Sequence, residues 1–277
     1  MWAQRAWVGV HLPADTASGQ ELYPYSRMLN AVEGNTTFYA LPPAATVAKW
    51  ASLADPGFRF VFKVPRTITH DARLRDVDAE LAAFVALLEP LGDLVGGLTL
   101  QLPPSFGPRD IAALDQALAR APRLWPWSVE VRHADFFGGD GRRALDRVLM
   151  RHGAERVVLD TISLFHRTPI SDDGHEEWRT KPRVPLLDDA LTDRPIVRFI
   201  GSDHPELTDS GLERWKVRIA EWLDEGRTPT LFVHTPDNRR SPALARGFHA
   251  AMCDIVDGLA PLPEPMPIGG PEQISLF

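Results

Sequence analysis

The sequence predicts an α/β fold, a (β/α)8 TIM barrel in a single domain, on three observations. Short runs rich in β-branched and aromatic residues alternate with stretches of helical periodicity from end to end. Eight such runs are separated by seven connections and followed by a closing helix, which is the count a barrel requires. The length of 277 residues suits a barrel, and a hydrophobic content of 44% supplies its core. An open doubly wound sheet fits less well, because "HLPADTASGQ" (11–20) follows the first run where a glycine-rich phosphate turn would stand.

In chain order the predicted strands are 6–11 (AWVGVH), 31–35 (AVEGN), 58–63 (FRFVFK), 97–101 (GLTLQ), 127–132 (WSVEVR), 156–160 (RVVLD), 195–200 (PIVRFI) and 229–234 (PTLFVH), each bounded by glycine, proline or polar turns. Between them lie helical patterns. Residues 45–54 space Val47, Trp50 and Leu53 about one turn apart, and residues 78–92 set Leu81, Phe84, Leu87 and Leu88 on one face before a glycine. Residues 110–122, 141–153, 210–226 and 241–258 repeat the pattern. The last opens Ser-Pro, an N-cap followed by the proline favoured at the first helical position. The connection over 161–194 is long and irregular.

A barrel keeps its working groups at the carboxyl ends of its strands. Here those ends carry His11, Glu33 and Asn35, Lys63, Gln101, Glu130 and Arg132, Asp160, Arg198 and His234. Side chains alternate along a strand, so Glu33 shares a face with Asn35, and Glu130 with Arg132, while Val32, Val129 and Val131 face the helices. Buried charges need partners, and a ring of such groups can satisfy itself. The plainer reading is that these charges only cap the barrel.

Glu33, Glu130, Asp160 and His70 are the acid–base candidates, because neighbouring carboxylates with divergent pKa values supply an acid and a base. Lys63, Arg132 and Arg198 would stabilise negative charge. The following loops add cations at 63–75, 178–183 and 237–240, so the mouth is expected to be positive on a body of net charge −7. That points to an anionic, phosphate-containing substrate and away from a uniformly basic nucleic-acid binder. No H-E-x-x-H or cysteine-based spacing marks a metal site, and the cations at neighbouring strand ends would oppose a dication. Neither a nucleophile elbow nor a P-loop is present.

The one cysteine, Cys253, allows no internal disulfide. The N-terminus lacks a secretory pattern, and no apolar stretch approaches the roughly 20 residues of a membrane span. A cytoplasmic protein without a membrane partner is expected.

Five segments together, 32–51, 58–76, 98–106, 129–137 and 196–201, resemble the YecE-like family, the domain of unknown function 72. The resemblance runs over almost the whole predicted barrel. It implies a TIM barrel and a pocket built from Glu33, Asn35, Thr37, Phe38, Tyr39, Lys63, Pro65, His70, Gln101, Glu130, Arg132, His133, Asp160 and Arg198. It implies no settled reaction and no known cofactor. The chain departs from the family at "GVHLP", "GNTTFY" and "VHTPDN", so His11 and His234 carry less of the likeness than Glu33.

Residues 1–257 form the predicted barrel domain and 258–277 a tail rich in proline and glycine. At ~3 Å per residue such an extended tether would reach about 40 Å. It ends in "QISLF" (273–277), which resembles the bacterial sliding-clamp-binding motif. The resemblance implies that Leu276 and Phe277 fill a hydrophobic cleft on the clamp, with Gln273 hydrogen-bonded beside it. Three functions fit: a hydrolase or lyase on a phosphate-containing substrate, nucleic-acid-derived substrates included; a nucleic-acid or nucleotide binder without turnover; and a metabolic enzyme acting on a small anionic sugar.

Overall fold

The computed structural model describes residues 2–269. Its strands are β1 (Ala31–Gly34), β2 (Arg59–Lys63), β3 (Val95–Gln101), β4 (Trp127–Glu130), β5 (Glu155–Arg156), β6 (Val158–Asp160), β7 (Ile196–Ile200) and β8 (Thr230–His234). All pair in parallel, in the orders β1-β2-β3-β4-β5 and β6-β7-β8. The two sheets are one continuous curl. β5 and β6 are separated by Val157 alone, whose N–H donates to the Val129 carbonyl at 2.9 Å. Among the described residues no ladder joins β8 to β1, so the curl is an α/β array of parallel strands with a seam.

That seam lies where the predicted first strand would fit. Residues 6–11 do not form a strand. A 3-10 turn, Arg5–Trp7, leads into a turn at Gly9 with φ +78°, and the only bridge there joins Val8 to Leu12. Packing overrides the β propensity: Trp7 is buried, stacks on Tyr25 at 5.7 Å, and donates its indole N–H to the Asn238 carbonyl at 2.9 Å. His11 faces the Arg239 carbonyl at 2.8 Å.

Longer helices cover the outer face: α1 (Ala44–Leu53), α2 (Asp78–Leu88), α3 (Ile111–Arg120), α4 (Gly139–His152), α5 (Asp172–Thr180), α6 (Pro205–Asp224) and α7 (Ser241–Ile255). Each is positioned by its apolar stripe. α1 buries Val47 and Trp50, three residues apart, and α4 stops at Gly153 in the left-handed conformation (φ 62°). In α7 the Ser241 hydroxyl accepts from the Thr235 N–H rather than capping its own helix, which ties the loop after β8 to the helix start.

The main core lies between the sheet and its helices. Phe60 and Phe62 point outward from β2, stack on each other at 5.2 Å, and meet Trp50 of α1. A second cluster joins Val197 and Phe199 of β7 to Leu212, Trp215 and Ile219 of α6. Each fully buried aromatic or leucine contributes about 1.5–3 kcal/mol. Gly34 exists where it does because of this packing: a Cβ there would run into the ring of Phe62, which is fully buried against Trp50. Gly34→Ala is therefore expected to lower stability by about 1–3 kcal/mol, read as a reduced urea midpoint, and to disturb the adjacent Glu33.

The segment after α7 is no free tether. His249 meets the Ala260 carbonyl, Arg246 donates to the Pro263 carbonyl, Leu262 packs on the main core, and the Ala14 N–H donates to the Ile268 carbonyl at 3.0 Å. Gln273, Leu276 and Phe277 lie outside the described residues.

Candidate functional site

Alternation along the strands decides what faces the interior. β2 turns Phe60 and Phe62 outward and Lys63 inward, β4 turns Val129 outward and Glu130 inward, and β7 turns Phe199 outward and Arg198 inward. The inward groups meet at the carboxyl ends. Arg198 is the centre: its Nη1 donates to Glu130 Oε2 at 2.6 Å, its Nη2 to Glu33 Oε2 at 3.2 Å, and its Nε lies 2.5 Å from Glu33 Oε1. Arg132 holds the other oxygen of Glu130 through Nε at 2.9 Å. The Asn35 amide donates to Glu33 Oε2 at 2.9 Å, so both predicted same-face pairs meet. Lys63 donates to Gln101 Oε1 at 2.8 Å and stands 3.6 Å from Glu33 Oε1. His234 comes from β8 to within 3.5 Å of Glu33 Oε2, so the curl brings its two unpaired edges together at this end.

Above this cluster opens a cavity of about 1130 Å³, lined by Glu33, Lys63, Gln101, Arg132, Arg198 and His234, which continues along the seam between β1 and β8. Its rim carries Tyr39, 77% exposed, with Arg66 and His70. His70 packs edge-on to Phe38 at 5.1 Å, and its Nδ1 lies 3.0 Å from the Thr69 hydroxyl. Arg66 and His70 sit at a turn of π-helix, Thr67–Asp71, a form often found at functional sites. The loop beyond it holds Arg73, Leu74 and Asp76 at positive φ (52°, 60° and 54°), a strained run. Asp110 clamps it, accepting from Arg73 at 2.6 Å and Arg75 at 2.8 Å.

The electrostatics differ from the predicted split between an acid and a base. Burial alone would raise both carboxyls. Arg198 and Lys63 nonetheless hold Glu33 well below the usual carboxylate range, and Arg198, Arg132 and Lys63 bring Glu130 down to about 2. Neither carboxyl is an acid at neutral pH. Burial and the neighbouring Arg198 lower Lys63 to about 8, which brings the amine within reach of neutrality. Burial also lowers His234 to about 4, against the opposing pull of Glu33. His70 is lowered by burial and by Arg132 and Arg66.

Two predicted site residues stand apart. Asp160 is one position past Leu159, which pairs with Arg198, so it points to the opposite face. There it accepts from the Trp215 indole at 2.8 Å and the Ile162 N–H at 2.9 Å, fastening α6 and the following loop. His133, next after Arg132, turns its ring toward Gly107 and Phe136, and its Nδ1 accepts from the Asp135 N–H at 3.2 Å. The mouth is also less positive than the loops suggested. Arg179 pairs with Glu176, Lys181 with Glu177, and Arg73 and Arg75 with Asp110, while Arg183 covers the Phe165 and Trp178 rings.

The sequence places Arg66 only among the loop cations of 63–75 and gives His234 little weight, although the latter's position at a strand end is a signal for it. Thr37, buried on the turn after β1, donates to the Gly34 carbonyl or the Lys63 carbonyl at 2.6 Å and ties the ends of β1 and β2 together. Among the described residues no group of three His, Cys, Asp or Glu side chains is placed to hold a metal ion. No helix among them is long and apolar enough to cross a membrane.

The family profile described as "Protein of unknown function DUF72" matches residues 1–267. Two curated relatives, each described as "UPF0759 protein YecE", come from Escherichia coli strain K12 and Escherichia coli O157:H7. Each is 36% identical over 277 residues, spanning 100% of this chain and 97% of the relative. Among solved structures, a DUF72 family protein from Thermotoga maritima MSB8 is similar with a TM-score of 0.69 at 20% identity, covering 91% of this chain and 96% of the other. A DUF72 family protein from Enterococcus faecalis V583 is similar with a TM-score of 0.68 at 16% identity, covering 96% and 97%. At those identities the two structures speak to the fold.

Proposed function

The chain belongs to the DUF72 family, and from that premise we propose that it binds a small phosphate-containing molecule at the carboxyl ends of a barrel-like strand array and acts on it as a hydrolase or lyase. One observation carries this reading. The buried cluster sets three cations, Lys63, Arg132 and Arg198, against two carboxylates, Glu33 and Glu130, leaving one positive charge at the floor of a cavity. An unbalanced charge in a poorly hydrated site favours an anionic guest. Arg132 is the exchangeable donor, since its side chain is 17% exposed against 5% for Arg198. Arg66 and His70 on the rim are placed to take the outer end of the ligand, and Tyr39 to cover it.

Calorimetric titration with inorganic phosphate tests the binding. Arg132→Gln is expected to weaken it about tenfold or more, the loss of one charge-assisted contact of about 1.5–3 kcal/mol. Absence of measurable binding by the intact chain would overturn the reading. Glu130→Gln separates the enzyme from a binder without turnover: in the enzyme it abolishes turnover while ligand is still bound. The reading extends to recruitment by a sliding clamp through Gln273, Leu276 and Phe277, which rests on the sequence of those residues alone. A pull-down with the intact chain and with one ending at residue 272 checks that part separately.

A further inference from the structure

The cluster contains a charge that its own geometry does not need. Glu33 is held by Arg198 through both oxygens and by Asn35, and Glu130 is held by Arg198 on one oxygen and Arg132 on the other. Two acids and two arginines therefore balance without a fifth group. Lys63 is the fifth. Among the described residues its only hydrogen bond is to a neutral amide oxygen, Gln101 Oε1, and its nearest carboxylate is 3.6 Å away, beyond hydrogen-bond length. It ends β2 with its side chain 7% exposed, lines the cavity, and is flanked by the guanidinium of Arg198. A primary amine among fixed positive charges, able to shed its proton without unbalancing its surroundings, is the arrangement that makes a lysine nucleophilic.

We propose that Lys63 forms an imine with a small hydroxy-aldehyde or hydroxy-ketone bound in this cavity. The phosphate on such a ligand rests on the anion-binding reading above; the imine does not. The ammonium first gives up a proton to solvent through the open cavity, since Glu33, held ionised by Arg198, is too weak a base to take it. The free amine attacks the carbonyl carbon, the C–N bond forms, and the C=O π pair moves to oxygen. A second proton passes from nitrogen to that oxygen, giving a carbinolamine. A proton returns from solvent to the hydroxyl, which leaves as water while the nitrogen lone pair closes the protonated C=N bond. Ammonium plus carbonyl thus gives iminium plus water, with no external oxidant or reductant. The iminium then draws electrons from the adjacent carbon, which is the chemistry a lyase uses. A second observation favours a hydroxylated partner. Asn35 lines the cavity, its Nδ2 is committed to Glu33, and its Oδ1 is buried without a hydrogen-bond partner, an acceptor matched to a ligand O–H.

The test is reductive trapping on the full chain. The protein is incubated with glyceraldehyde, glyceraldehyde 3-phosphate or dihydroxyacetone phosphate, reduced with sodium borohydride, digested, and mapped by mass spectrometry. The chain has only four lysines, Lys49, Lys63, Lys181 and Lys216, so the background is small. Expected is an adduct at Lys63 at least about tenfold above each of the other three, at a rate that climbs about tenfold per pH unit and levels near pH 8. Lys63→Arg keeps the charge, and the fold is checked by its unchanged melting curve. It is expected to lose the dominant adduct. Equal labelling of all four lysines, or none at Lys63 while inorganic phosphate still binds, overturns the imine. Labelling of Lys63 by glyceraldehyde that excess inorganic phosphate leaves unchanged supports the imine and removes the phosphate from its ligand.

Discussion

Arg198→Met is expected to lower the unfolding free energy by about 3–5 kcal/mol, the cost of leaving buried carboxylates without their partner. Arg198 is the only residue that touches both Glu33 and Glu130 among the five charged groups of the cluster, and its side chain is 5% exposed. Removing it leaves Glu130 with Arg132 on one oxygen and nothing on the other. Glu33 keeps only Asn35, a distant Lys63 and His234. The measurement is a urea midpoint at unchanged slope, since an altered slope would mean that the compactness of a state had changed instead. The triple variant Glu33→Gln, Glu130→Gln, Arg198→Met is the informative partner, because it removes both carboxylates with the arginine they share and leaves Lys63 and Arg132 facing the cavity. It is expected to recover part of the loss, as replacing a whole buried ion pair costs far less than breaking one. A loss under about 1 kcal/mol for Arg198→Met alone would mean that water reaches the carboxylates and that the cluster behaves as a surface network.

Much of this cluster was legible in the sequence because strand alternation is a local rule. Two residues apart on one strand means the same face, and the predicted pairs Asn35–Glu33 and Arg132–Glu130 do meet, although β1 ends at Gly34 and β4 at Glu130, so that each partner reaches back from the turn just past its strand. The same rule does not reach across strands, where register is needed. "RVVLD" ends in an acid like its neighbours, yet Leu159, not Asp160, lies beside Arg198, and one position of register turned the carboxylate to α6. The first predicted strand shows a different limit. "AWVGVH" has the composition of a strand, but the indole of Trp7 finds Tyr25 and the Asn238 carbonyl, the latter 231 positions away. The overcount of positive charge at the mouth has the same origin. Arg73 and Arg75 share the one carboxylate of Asp110, 35 residues beyond Arg75, and such pairings leave no mark in a window of sequence.

Acid is expected to unfold the protein in two stages, with a rise in stability at the alkaline end. His234 is lowered from 6.5 to about 4. Between those values the unfolded chain takes up a proton that the folded one refuses, so stability falls as pH drops from about 6.5. Its side chain keeps 21% of its surface exposed, so water moderates this first stage. Glu33 and Glu130 follow. Both are held below the ordinary 4.5 in the folded state, Glu130 at about 2, so their contribution is whole above 4.5 and is lost as pH falls below it. For Glu130, fully enclosed, the loss is on the order of 3 kcal/mol. Lys63 acts with the same sign, in a higher window. Its folded value of about 8 lies below 10.5, so the unfolded chain binds the extra proton across that window and stability rises with pH through it. Urea midpoints from pH 3 to pH 10 check all three. His234→Gln should erase the first stage alone, Glu130→Gln should shrink the second, and Lys63→Met should flatten the alkaline rise. A wild-type curve flat from pH 4.5 to 6.5 would place His234 in water, and then the seam between β1 and β8 is open to solvent down to Glu33.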